Sequence, residues 1–217
     1  MVRQDRYTVL GMTEPRPHTK FDLSGGNLAL DFANTVSKRP TPQRIDRLTD
    51  YHELVAFGVA TGVYPPRAPD RLYALARQAP GRGQDTLLTA FQFREALFTI
   101  FSAIAQRRAV QGNALALLNL TLQFSAEHGR IVPIGGHFRW EWSRMDSYLD
   151  SVLWPIARAA GDLLVSDELA LVRICGSDEC DWLFLDKTKN HRRRWCDMKT
   201  CGNRVKARRH YERVKGE

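Results

Sequence analysis

The four cysteines most constrain what this chain can become. All of them lie in one short basic stretch near the C-terminus, CGSDECDWLFLDKTKNHRRRWCDMKTC, as Cys175, Cys180, Cys196 and Cys201. The spacing is C-x4-C, fifteen residues, then C-x4-C. Two short cysteine steps divided by a longer loop bring two ligand pairs together, and structural zinc takes four ligands in a tetrahedron, sulfur-only shells included. The x4 step is wider than the usual x2. The start, MVRQDRYTVLGMTEPRP, has no apolar stretch long enough for a signal peptide. The longest uncharged apolar run, near 114–126, is too short and polar to cross a bilayer. A cytoplasmic location is therefore expected, where thiols stay reduced and metal binding is favoured over a disulfide or redox pair. One structural Zn(II) held by the four thiolates is the expectation. His191 is the one competing ligand nearby, and four sulfurs already suffice. Such a shell is closed, so it leaves no position for an activated water. A module of roughly 45 residues has too little core to fold alone, which makes the metal a source of folding energy.

Charge is concentrated in the same region. The chain carries 32 Lys/Arg against 24 Asp/Glu, a net of +8. From Lys187 to Lys215 there are twelve basic and two acidic residues. Four thiolates with one Zn(II) sum to −2, which accounts for only two of those ten net charges. The surplus implies a polyanion as partner. Past the last cysteine, NRVKARRHYERVK has helical propensity. On a wheel Lys206, Arg209 and Arg213 form one basic arc; Arg204, Arg208 and Lys215 form another. Ala207, Tyr211 and Val214 cluster and are expected to pack on the rest of the protein. Two basic arcs suit a helix in a DNA major groove with phosphates on either side. The run Arg192-Arg193-Arg194 could clamp phosphates in a bidentate manner. Lys187, Lys189, Lys199 and Asn203 complete the candidate contacts. Trp182, Phe184 and Trp195 either form the small core around the metal or stack on bases, as in single-strand and RNA binders.

The remaining chain, with 43% hydrophobic and 26% charged residues overall, is of globular composition. Residues 1–20 read as a loose leader, 21–168 as a mainly helical domain and 169–217 as the cysteine module. FDLSGG reads as a short strand and turn, and NLALDFANTV as a helix capped by Asn27. SKRPTPQRIDR reads as a linker, and LTDYHELVAFGVATG as a helix capped by Thr49 or Asp50 and stopped by Gly62. A proline-rich turn at 64–69 precedes a short helix to about Ala79, which PGRG breaks. The strongest helix spans about 84–108, with another over 113–125. RIVPI and HFRWEWS form a hairpin around Gly135-Gly136. A helix covers Met145 to Val165. Short strands are expected at 169–174 and 182–186. Arg94 lies in the apolar arc of the long helix, and an unpaired buried charge is too costly to persist. Asp31 and Asn34 are its expected partners. They make either a structural Arg–Asp pair between helices or a small anion-sensing pocket of Asp31, Asn34 and Arg94.

WCDMKTCGNRVKARRHY resembles the CGNR zinc-finger family, named for the tetrapeptide present as Cys201-Gly202-Asn203-Arg204. CGSDECDWLFLDKTKN is similar to the first knuckle of that finger, although HRRRW at 191–195 departs from the small polar residues expected there. FDLSGGNLALDFANT and FREALFTIF resemble the ABATE domain that precedes this finger in bacterial proteins. The resemblance implies a stress-induced transcription regulator or nucleic-acid binder. No nucleophile–base set, glycine-rich phosphate loop or HExxH site is present, so an enzyme is not expected. The resulting expectation is a mostly α, α+β protein with a zinc module that binds double-stranded DNA. RNA binding through the same module, and a small-molecule binder with a structural zinc module, are the alternatives. Nucleoid association would follow from DNA binding; a homodimer stays open.

Overall fold

A computed structural model describes residues 20–65 and 67–215. The expected leader falls almost wholly outside the described residues. Helix α1 (Leu28–Ala33) is capped by Asn27, whose side chain accepts the Ala29 N–H at 2.9 Å. All six of its residues are buried. FDLSGG before it is not a strand; it runs irregularly beside the C-terminal module, with Gly25 O accepting the Leu185 N–H at 2.9 Å. The stretch expected to be a linker holds a small antiparallel pair, β1 (Val36–Ser37) and β2 (Ile45–Asp46). Two-residue strands carry too little alternation to be seen in a sequence pattern.

Helix α2 (Tyr51–Ala60) starts at Asp50, whose carboxylate accepts the Glu53 N–H at 3.0 Å, and Gly62 beyond its end has φ +72°. Helix α3 (Ala68–Gln78) is followed directly by α4 (Pro80–Ala105). PGRG is therefore the first turn of α4 and not a loop. Proline is tolerated there because its missing N–H would have had no helical partner. Helix α5 (Gly112–His128) leads into the hairpin β3 (Gly129–Ile134) and β4 (His137–Trp142), with Gly135 and Gly136 at φ +54° and +82° as a tight hairpin turn requires. Helix α6 spans only Leu153–Leu164. Its expected start at Met145 fails because Pro155 has no N–H to donate and its ring would clash with the carbonyl four residues earlier. Proline is accepted only in the first turn.

Helices α4 and α6 pack on α1 and α5 packs on α4 and α6, with Leu30, Phe32, Phe57, Phe93, Phe101 and Trp154 fully enclosed. Each such side chain stabilises the fold by about 1.5–3 kcal/mol on burial. By length and composition α4 could cross a membrane; here it is the core helix of this bundle.

After a 3-10 turn at Asp167–Leu171, β5 (Val172–Ile174) pairs antiparallel with β6 (Leu183–Leu185). Strand β6 is buried on both faces, and its alternation splits two cores. Leu183 and Leu185 join the main helical core, whereas Trp182 and Phe184 join the four cysteines. A π-helical turn at Met198–Gly202 opens into α7 (Asn203–Lys215). No residue of α7 is buried. The expected packing of Ala207, Tyr211 and Val214 does not occur: Tyr211 and Val214 are each 60% exposed. The molecule is mostly helical with short antiparallel pairs, as expected from the sequence.

Candidate metal centre and nucleic-acid interface

The cysteine sulfurs all lie within 4.8 Å of one another, and all four residues are buried. Cys180 and Cys196 sulfurs are 3.8 Å apart, and Cys196 and Cys201 sulfurs 3.7 Å. Bonds of about 2.3 Å in a tetrahedron place sulfurs about 3.8 Å apart, so these residues fit zinc. The backbone builds the cradle. Cys175 extends the β5–β6 ladder through its N–H to Trp182 O at 2.8 Å, and Cys180 closes a turn onto Ser177 O at 2.9 Å. The Cys196 N–H reaches the Cys175 sulfur at 3.5 Å. Asp197 caps the π-turn through the Thr200 N–H at 2.8 Å. The Met198 side chain folds over Gly202, where a Cβ would push its sulfur aside. Without a cation the thiols cannot ionise together. Hydrogen bonding from Cys180 and Cys196 favours the Cys175 thiolate, and that anion pushes both of those thiols up. His191 turns away; its Nδ1 lies 2.9 Å from Asp186 O.

The basic residues separate into three groups. Arg193 is structural and does not join a phosphate clamp. Its guanidinium donates to Trp195 O at 2.9 Å and to Cys196 O, and lies 4.6 Å over the Phe184 ring. Arg204 and Arg208 turn toward the first knuckle, meeting Glu179 at 3.4 Å and Asp178 at 3.1 Å; Arg208 also meets Glu212 at 2.9 Å. Lys187 pairs with Glu168 at 2.5 Å. These pairs are exposed, so each contributes little. The third group faces solvent: Lys189, Arg192, Arg194, Lys199, Lys206, Arg209 and Arg213, with Asn203 beside them. The arc Lys206–Arg209–Arg213 makes no ion pair among the described residues. Trp182 and Phe184 are core residues, which removes them as stacking platforms.

Asp186 was not singled out by sequence reading. It accepts the Thr188 hydroxyl at 2.5 Å, the Thr188 N–H at 3.1 Å and the Arg193 N–H at 2.8 Å, which shapes the loop carrying Arg192–Arg194. Burial pushes its carboxyl up, but these donors outweigh burial and hold it below the ordinary range. The D-x-T step was the available sequence signal.

Asp31, Asn34 and Arg94 do not share a pocket. Arg94, 1% exposed, forks onto Asp46 at 2.6 and 2.7 Å and reaches the Thr35 hydroxyl at 3.2 Å. Asp31 accepts the Gly25 N–H at 2.7 Å. Asn34 donates to Leu183 O and accepts from Leu183 N, both at 2.8 Å. The expected helix-to-helix pair is thus a helix-to-hairpin pair. Helix α1 is buried all round, so its two polar side chains are consumed by backbone.

Family comparisons agree with this layout. Residues 172–214 match the CGNR zinc finger, and residues 26–167 match ABATE, described as a "putative stress-induced transcription regulator". No curated protein matches the sequence. The four-cysteine cluster and the finger match together support zinc binding. With the ABATE match spanning more than half its length, the chain belongs to the ABATE family and carries a CGNR zinc finger behind that domain.

Proposed function

We propose that this protein is a regulator that binds duplex DNA through its C-terminal module, with one structural Zn(II) holding Cys175, Cys180, Cys196 and Cys201. The observation that carries the reading is α7, a helix with no buried residue whose arc Lys206–Arg209–Arg213 has no acidic partner among the described residues. A helix rich in like charges and unsupported by core packing gains little from staying folded alone. A phosphate surface supplies the missing interaction. The cysteine cluster fixes the start of α7, and Arg204 and Arg208 hold its inner side to Asp178 and Glu179. Zinc bound there supplies folding energy and neutralises thiolate charge. With four thiolates around it no water position remains, so the role is binding and not catalysis.

Titrating the zinc-loaded protein into a labelled duplex at several salt concentrations tests the reading. Neutralisation of ~4–6 phosphates gives a slope of log K against log[salt] of about −3.6 to −5.4. Failure to bind any duplex at low salt overturns it. Tighter binding to single-stranded RNA would replace DNA by RNA, a reading weakened by the burial of Trp182 and Phe184.

A further inference from the structure

The loop joining β1 and β2 runs Lys38-Arg39-Pro40-Thr41-Pro42-Gln43-Arg44, three basic residues with no acidic one. It is built of consecutive turns: Lys38 O accepts the Thr41 N–H at 3.0 Å, and Thr41 O accepts the Arg44 N–H at 3.2 Å. Its root is fixed from below. Arg94 grips Asp46 on β2, while Arg39 turns inward to Glu95 at 2.5 Å and Ala33 O at 3.0 Å, stacked 4.1 Å from Phe98. Arg44 stays exposed, and its contact with Glu95, at 3.4 Å between two half-exposed groups, is weak. Lys38 makes no ion pair among the described residues.

The same hairpin rests on the zinc module. The Trp182 indole N–H donates to Val36 O at 2.8 Å, and the Arg47 guanidinium lies 5.9 Å from that ring. Four and three residues earlier in the chain, Asp178 and Glu179 meet Arg208 and Arg204 of α7. The segment from Glu179 to Trp182 spans at most ~11 Å even when fully extended. The root of the loop and the start of α7 are thus both tied to one short segment of the first knuckle.

We propose that the β1–β2 loop of the ABATE domain is a second phosphate-contacting element, so that duplex DNA is gripped jointly by α7 and by Lys38 and Arg44. This rests on the duplex-binding reading above. Arg94 and Arg39 are then positioning residues: they fix the loop's root to α4 and α1 without reaching the nucleic acid. The pre-turned, proline-bearing loop loses little conformational freedom when phosphate arrives.

The test uses the full zinc-loaded chain and a random-sequence duplex. The K38Q/R44Q variant keeps polar side chains and removes two charges. Its salt slope should become shallower by about 1.8, with affinity lower at every salt concentration. The control variant R77Q/R82Q removes two exposed charges where α3 meets α4. Arg82 is thirteen residues before Glu95 on one helix, about 20 Å along its axis. Its slope should match the wild type. Zinc content and melting temperature, checked in both variants, should stay at wild-type values. Wild-type binding with an unchanged slope in K38Q/R44Q, or an equal fall in both variants, overturns the loop's role and leaves the α7 reading standing. Absence of duplex binding by the wild type overturns both.

Discussion

Asn34 at the end of α1 treats Leu183 of β6 as a strand partner, its side-chain amide donating to the Leu183 carbonyl and accepting the Leu183 N–H, each at 2.8 Å. The two residues are 149 positions apart and belong to different family modules. The edge of β6 that faces away from β5 is buried, so its amide needs such a partner. A side-chain amide supplies one without adding a strand.

Replacing Asn34 by alanine leaves a buried N–H and a buried carbonyl unpaired together. Each costs about 1–3 kcal/mol, so N34A should lose about 2–6 kcal/mol in urea unfolding. N34D removes the donor and turns a carboxylate toward the Leu183 carbonyl, and should be no better than alanine. A change below about 0.5 kcal/mol in N34A would show that the junction is not held by this pair.

The Arg94–Asp46 pair should show the asymmetry of buried ions. Asp46 is partly exposed, and Arg94 is not. D46N leaves the guanidinium with only the 3.3 Å contact of the half-exposed Glu95 as countercharge and should destabilise by about 2–3 kcal/mol, somewhat below the 3–5 kcal/mol of a fully buried pair. The double variant R94M/D46L should recover most of that loss. If the double variant is as unstable as D46N, the pair contributes shape and not charge balance. The measurement is again the urea midpoint, with both proteins at equal zinc loading.

The three consecutive arginines should divide by role. R193A removes donors to Trp195 O and Cys196 O and uncovers Phe184, so it should loosen the second knuckle and speed zinc transfer to a chelator. R192A and R194A should leave that rate unchanged and flatten the DNA salt slope by about 0.9 each. A slope change in R193A with normal zinc release would return Arg193 to the phosphate surface.

What the sequence revealed depended on how local each signal was. The cysteine spacing exposed the metal site because four sulfurs of one kind in one stretch have few other uses. The caps Asn27 and Asp50 and the Gly135-Gly136 turn were visible because their partners lie within a few residues. Asp46 was not visible as the partner of Arg94, because 48 residues separate them and β2 has only two residues. Asp31 and Asn34 had the right chemistry and lay nearby on α1, but complete burial of that helix turned them to backbone. The free surface of α7 was missed for the opposite reason. Ala207, Tyr211 and Val214 make an apolar cluster on a wheel, but the pattern cannot say whether any surface faces them.

Removal of the metal should reach the helical domain. Strand β6 carries Trp182 and Phe184 into the cysteine core and Leu183 and Leu185 into the main core, so the two cannot loosen independently. Chelation removes the ion and Cys196→Ser removes one of its ligands; either leaves a small core of Trp182 and Phe184 with little to enclose. Hydrogen exchange should rise across 175–202 first and then at Asn34 and the β1–β2 pair, which bond to Leu183 and Trp182. The helical melting temperature should fall by at least about 5 °C, as expected if about 2 kcal/mol is lost in a chain of this size. Retention of zinc at full stoichiometry by the serine variant would contradict an all-thiolate shell. An unchanged helical melt after complete zinc removal would show that β6 separates the cores and does not join them.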